Sequence, residues 1–176
     1  GILTIQNNLD GGNLGLTGSA NLAGKDVGAQ ALSTVAGATL VRSSTGSTGA
    51  NAATSFNVTM SASAGAGNTM IAVISTRGTA ADRVTGITQT GSTWSRVTQA
   101  TNTNGTTTEI WSAPDVAGGG TTVTINQASL RSAAVVMEYS GVLTAGAVDQ
   151  LASSTGSSTA PVTGTTPTTA QANELW

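Results

Sequence analysis

Apolar and polar residues alternate one for one along much of the middle of the chain. In "TSFNVTMS", Phe56, Val58 and Met60 fall on one side and Ser55, Asn57 and Thr59 on the other. A repeat of two residues places alternate side chains on opposite faces of a strand, so this stretch predicts a half-buried β-strand. "TTVTINQA" repeats the pattern, with Val123 and Ile125 against Thr122 and Thr124. "TMIAVISTR" is instead almost continuously apolar, as expected of a central strand covered on both faces. "ATLVRSS", "DRVTGITQTG", "STWSRVTQA", "TTTEIWSAPD" and "RSAAVVMEYSGV" supply further strands, rich in β-branched Thr and Val. Between them stand turn signals: "AGAGN", Gly91, the "NTNG" of Asn102 to Gly105, and the glycines 118 to 120. Asn-Gly marks a tight turn because both residues tolerate positive φ. No stretch reads as a long helix. About eight strands at roughly 10-residue spacing point to a sandwich or barrel. Residues 38–148 are therefore expected to form one antiparallel β-sandwich, jelly-roll or Ig-like.

Both flanks depart from this pattern. Residues 1–37 open with "GILTIQNN", long enough for one short strand, and continue into text where Gly12, Gly15 and Gly18 recur at intervals of three. Glycine this dense costs too much chain entropy for an ordinary helix. A solvated linker has no need of the apolar residues spaced through it, from Leu14 and Leu16 to Leu22, Val27, Leu32 and Val35. The expectation is an extended, Gly-rich anchoring arm that orders against a partner, with a plain linker as the alternative. Ile2, Leu3, Ile5, Leu14 and Leu16 are its assembly residues, and Gly1 to Asn7 could add as a strand to a neighbour's sheet edge. At the other end, Ser153 to Ser157 repeats the "SSTGS" of Ser43 to Ser47, and Asn173-Glu174-Leu175-Trp176 occupies the place of Asn68-Thr69-Met70-Ile71. Residues 149–176 thus read as a linker and the first strands of a second module, in a natural polypeptide that runs past Trp176. The alternative is a last strand that pairs within the first module or with a neighbouring subunit.

Composition narrows the chemistry. Charged residues are only 8% of the chain, with no Cys and no His. That removes disulfides, thiolate catalysis, the ordinary zinc site and the histidine general base. The six basic residues are scattered, leaving no footprint for nucleic acid, and no apolar run reaches membrane-spanning length. Asn8, Asp10 and Asn13 could begin a calcium loop, though with a single carboxylate. Paired carboxylates could hydrolyse a glycosidic bond, but three of the eight acidic residues adjoin or nearly adjoin a base, in Lys25-Asp26, Asp82-Arg83 and Glu138 after Arg131, and ion pairing at a surface or strand edge is the competing expectation. Glu109 and Glu138 stand on predicted strands beside Trp111 and Tyr139. A carboxylate next to an aromatic ring can hold a sugar, so Trp111, Tyr139 and Glu109 are candidates for a ligand platform. The competing expectation is that Trp94 and Trp111 plug a core otherwise built from small residues.

The segments "NTMIAVISTRG", "VTGITQTGSTWSRV", "TTTEIWSAPDVAGGGTTVTI", "AAVVMEYSGV" and "NELW" together resemble a module of bacterial surface proteins and of phage fibre or virion-surface proteins. The likeness spans about residues 38–176, and the arm lies outside it. It implies tandem β-sandwiches with no catalytic residues, no cofactor and no metal. The functional expectation is a non-enzymatic structural subunit at an extracellular or virion surface, such as a phage head or tail fibre or a decoration protein. Its partners would be its own subunits or a capsid or fibre scaffold protein. A secreted bacterial filament subunit, an adhesin and a carbohydrate-binding module that takes surface glycans are the alternatives.

Overall fold

The structure, a computed structural model, describes residues 37–156, 159–160, 162–169 and 175. All of the expected arm but Gly37, with the calcium-loop residues and Trp176, lies outside the described residues. Eight strands follow in order: β1 (Thr39–Ser47), β2 (Ala53–Thr59), β3 (Thr69–Arg77), β4 (Val84–Thr88), β5 (Ser95–Asn102), β6 (Thr106–Ala113), β7 (Thr122–Leu130) and β8 (Ser132–Ser140). They form a five-stranded sheet, β1-β8-β3-β6-β5, and a three-stranded sheet, β2-β7-β4, with every pairing antiparallel. The protein is an all-β sandwich, as the alternation predicts.

The pairings reveal how the sandwich is wound. β1 with β8, β2 with β7 and β3 with β6 are the rungs of one long hairpin ribbon. Rolling that ribbon brings β3 beside β8 and β4 beside β7. This is jelly-roll winding rather than the Ig-like order, in which the first two strands share a sheet. One departure matters. The ribbon's last rung would pair β4 with β5, but only the Gln89–Ser92 bridge survives of it. β5 pairs instead with β6 and joins the larger sheet.

Inward-facing residues close the core. Phe56, Val58 and Met60 from β2 and the segment after it, Val84 and Ile87 from β4, and Val123 and Ile125 from β7 meet Met70, Ala72, Ile74, Trp111, Ala113, Ala134 and Val136 from the larger sheet. Trp94 packs partly buried against this cluster. The β4–β5 connection is held by close backbone contact. Gly91 adopts a φ of 76°, and a Cβ there would collide with the Gly118 carbonyl oxygen. Ala117 N donates to Gly91 O at 2.8 Å, Gly120 N to Thr90 O at 3.2 Å, and Gln89 Nε2 to Gly120 O at 2.9 Å. The glycines that interrupt the pattern at 118–120 thus let two loops lie backbone against backbone.

The four edge strands share a feature that the interior pairings lack. Register shifts fall at Leu40/Arg42 in β1, Val84/Gly86 in β4 and Arg96/Thr98 in β5, each with the extra residue on the edge strand, and at Ala53/Ser55 where β2 meets β7, with the extra residues on β7. Strand β3, paired on both sides, runs without one. Bulged edges twist away and offer an incoming strand only a short ladder. After β8, the described residues of 141–169 carry no strand. The strands expected there for a second module do not form among them. Residues 152–156, 160, 162 and 163 instead lie over the outer face of β5 and β6, where Asn102 Nδ2 donates to Gly156 O at 3.2 Å.

Candidate functional site

The charged residues of the larger sheet are placed contrary to their polarity. Along β6, Thr107, Glu109, Trp111 and Ala113 share the inner face, while Thr108, Ile110 and Ser112 face out. Along β8, Ala134, Val136 and Glu138 face in, while Val135, Met137 and Tyr139 face out. Glu109 and Glu138 are both wholly buried, at 0% exposure. A buried carboxylate is tolerable only when donors surround it, and both are surrounded.

Glu109 Oε1 accepts from the backbone N of Val84 at 2.8 Å. Its Oε2 accepts from Trp111 Nε1 at 3.1 Å and from Arg96 Nη1 at 3.5 Å. The Arg96 guanidinium also meets Asp82 Oδ1 at 2.6 Å and stands 6.0 Å from the centroid of the Trp111 ring. Glu138 Oε1 accepts from Gly65 N at 2.8 Å and Asn68 Nδ2 at 2.6 Å, and its Oε2 faces Arg42 Nε at 2.9 Å. The predicted pairing of carboxylate with base is therefore present, but inside the sandwich. The base for Glu138 is Arg42, its register partner on β1 rather than Arg131.

Each carboxylate fastens a loop that crosses between sheets. Gly65 and Asn68 lie on the β2–β3 connection, whose Ser63 carbonyl also accepts from Arg42 Nη1 at 3.3 Å. Val84 opens β4, at the end of the β3–β4 connection. That second loop covers the inner side of β5 and β6, where the three-stranded sheet has no fourth strand to offer. Thr107 Oγ1 lies 3.2 Å from Gly78 O and 2.9 Å from Ala80 O, and Gln99 takes Asp82 N at 2.9 Å and returns a bond to Asp82 Oδ1 at 3.2 Å. A polar layer of Gln99, Thr107, Glu109 and Arg96 stands in for the strand that β5 leaves behind.

These positions bear directly on the candidate ligand platform. Glu109 and Trp111 are brought together, but as hydrogen-bonded partners within the sandwich, with Trp111 only 9% exposed. Tyr139 is half-buried on the opposite face of the sheet, where its hydroxyl contacts Met137 Sδ at 3.7 Å. The three residues share no surface. Nor do the two buried carboxylates face a common bond. Glu109 registers with Ile74 and Glu138 with Met70, on either side of β3. Two strand spacings across and four residues along put their Cα atoms roughly 16 Å apart, whereas carboxyls that flank a glycosidic bond sit about 5–10 Å apart. Among the described residues no three Asp or Glu side chains gather as a metal site.

The two outer faces are unlike. The three-stranded sheet presents Ser55, Asn57, Thr59, Thr122, Thr124 and Asn126, the hydroxyl and amide surface expected of a solvated sheet. The five-stranded sheet presents Leu40, Ile71, Val73, Ile110, Val135, Met137 and Tyr139, and Leu40 is 51% exposed. Arg42, Arg96, Glu109 and Glu138 all leave this outer face for the interior, so among the described residues of the sheet only Arg77, at the end of β3, is charged on it. Over β5 and β6 the face forms one wall of a groove of about 580 Å³, flanked on the other side by residues 152–156, 160, 162 and 163 and lined chiefly by Thr, Ser, Asn and Gln. Parity along β6 and β8 carries the signal for the inward carboxylates, since Glu109 falls in step with Trp111 and Glu138 with Val136. Comparison with protein-family models, curated proteins and solved structures gives no match for this chain.

Proposed function

We propose that this chain is a non-enzymatic structural subunit of an extracellular or virion-surface assembly, such as a phage head or tail fibre or a decoration protein. In this reading residues 1–37 anchor the subunit and the sandwich projects from the scaffold. The observation that carries it is the outer face of β1, β8 and β3, which gathers Leu40, Ile71, Val73, Val135, Met137 and Tyr139 beside the single charge of Arg77 among the described residues. Contiguous apolar surface of this kind is the usual mark of a surface made for contact rather than for water. The buried carboxylates support the reading as well: each is engaged by backbone N–H groups, an indole or amide, and a guanidinium, an arrangement that stiffens the fold. Deleting residues 1–37 tests the anchor. The expected product is a folded monomer, β-rich by circular dichroism, that no longer enters the particle or filament formed by the full chain. Normal assembly of the deletion variant would refute the anchoring role.

The groove beside β5 and β6 favours one second reading, a glycan-binding module of an adhesin. Its Thr, Ser, Asn and Gln side chains suit a sugar's hydroxyl groups, although the surface it exposes is mostly apolar and none of its lining residues is aromatic. A glycan array probed with the full chain separates the two readings, because only the adhesin predicts a defined set of hits.

A further inference from the structure

We infer that one end of the sandwich binds an acidic polysaccharide, with Arg77, Arg83 and Arg131 taking its sulfate or carboxylate groups. The inference goes beyond both readings above, since it uses neither residues 1–37 nor the β5–β6 groove. The three arginines are scattered in the sequence and gathered by the fold. Arg77 closes β3, and its backbone N donates to Arg131 O at 2.9 Å, one rung past the Thr76–Ser132 pair. Residues bonded in this way stand about 5.5 Å apart at Cα and send their side chains to the same face. Both are exposed. Arg83 approaches from the end of the smaller sheet, where its carbonyl accepts from Ala128 N at 2.9 Å. Its guanidinium reaches towards the larger sheet and lies against Gly78, the residue after Arg77. A Cβ on Gly78 would stand 3.0 Å from Arg83 Nη2. That places Nη2 at most roughly 8 Å from Arg77 Cα.

Charge balance sets this end apart. Arg42 and Arg96, the other two basic residues among those described, are tied to Glu138, Asp82 and Glu109. Among the described residues, Arg77, Arg83 and Arg131 meet no carboxylate, and Arg83 Nε finds no acceptor. Asp82, the single acid in the connections at this end, is held by Arg96 at 2.6 Å. A chain of net charge −2 thus concentrates three uncompensated positive charges in one place. Like charges directly opposite in a ladder are destabilising, so Arg77 beside Arg131 fits a surface completed by an anion. A guanidinium matches an oxyanion through its fork of N–H donors. The surroundings choose which anion. The β1–β2, β3–β4 and β5–β6 connections expose Asn51, Thr79 and Thr103 here and carry no large apolar or aromatic side chain. Amides and hydroxyls suit a sugar. A protein partner needs an aromatic or aliphatic anchor, and a nucleic-acid strand needs rings on which its bases stack. Exposed arginines hold one small anion only weakly in water, whereas a chain of repeated charges engages all three at once.

The test titrates the full chain with dextran sulfate, polygalacturonate, neutral dextran and single-stranded oligothymidine over a range of salt concentrations. The wild type is expected to bind one or both acidic polysaccharides and to ignore dextran. Dextran sulfate and polygalacturonate distinguish a sulfate source from a carboxylate one. Three contacts should give log K a slope of about −2 against log salt, through release of counterions from a linear polyanion. The double variant Arg77→Gln, Arg131→Gln should bind at least about tenfold more weakly, with the slope falling to about −1 or less. Should the double variant fail to fold, Arg131→Gln alone makes the comparison from an exposed position. Thr122→Glu lowers the net charge as much as Arg131→Gln does, but at the opposite end of the sandwich, and should leave the affinity nearly unchanged. The inference is overturned if neither acidic polysaccharide binds at low salt, or if dextran binds as well as they do. Oligothymidine binding as tightly as the polysaccharides overturns the choice of ligand. Equal weakening by Thr122→Glu and Arg131→Gln overturns the choice of site.

Discussion

At the residue scale, Glu138 and Glu109 decide more than any apolar side chain of similar size. Each sits at 0% exposure and holds a sheet-crossing loop through backbone N–H groups. Removing one member of such a set leaves the rest desolvated and unpaired, which costs about 3–5 kcal/mol. Glu138→Ala strands Gly65 N, Asn68 Nδ2 and the Arg42 guanidinium together, so urea denaturation should report a loss in that range. Glu138→Gln keeps an acceptor for Gly65 and Asn68 and forfeits only the charge of the pair. Its loss should be clearly smaller, about 1–2 kcal/mol. Equal losses for the two variants would mean that the guanidinium contact, rather than the loop bonds, carries the effect. Arg42→Ala completes the comparison. The Arg42 side chain is itself 23% exposed, so water can partly replace it, and the expected cost is nearer the Gln value than the Ala value.

At the element scale, the strands were legible wherever one physical signal stood alone. β2 and β7 announced themselves by clean alternation, and β3 by an unbroken apolar run that the fold places at the centre of the larger sheet. The β5–β6 turn followed from Asn-Gly, and Gly105 takes a φ of 102°. The outward Ile110 and inward Glu109 were harder to read, because side-chain polarity and strand parity disagree there. Parity won, since Trp111 and Ala113 had to reach the core from the same face. The repeated "SSTGS" takes different forms at its two places for a related reason. Ser43 to Ser47 form part of β1 only because β8 lies alongside, and the described residues near Ser153 have no such neighbour. Glycine substitutions test this dependence on surroundings. Gly91→Ala meets both a φ of 76° and the Gly118 carbonyl, so it should destabilise by about 3 kcal/mol or more, or fail to fold. Gly86→Ala meets nothing within 4 Å at an ordinary φ. It should be neutral or stabilising by up to about 1 kcal/mol through the unfolded chain. Thermal melts of the two variants should therefore move in opposite directions or differ by well over ten degrees.

At the scale of the whole molecule, the rolled ribbon sets both what is essential and how fast it forms. β1 pairs along its length with β8, so Thr39 lies opposite Ser140 and the first strand waits for the last. Such long-range pairing gives slow folding, on the scale of milliseconds to seconds. It also closes the domain at β8. Among the described residues every buried apolar side chain lies between Phe56 and Val136. Residues 152–156, 160, 162 and 163 add a loose cover, in which Val162 remains 75% exposed. A chain ending at Gln150 should therefore unfold within a few degrees of the full chain and keep nearly the same urea m value, because little surface buried on folding is removed. A chain ending at Arg131 should not fold, since loss of β8 would separate β1 from β3 and leave Arg42 without Glu138. If the chain ending at Gln150 instead melted far below the full chain, the last residues would have to be counted as part of the core rather than its cover. The β5–β6 groove would then be an interior seam that the sandwich needs.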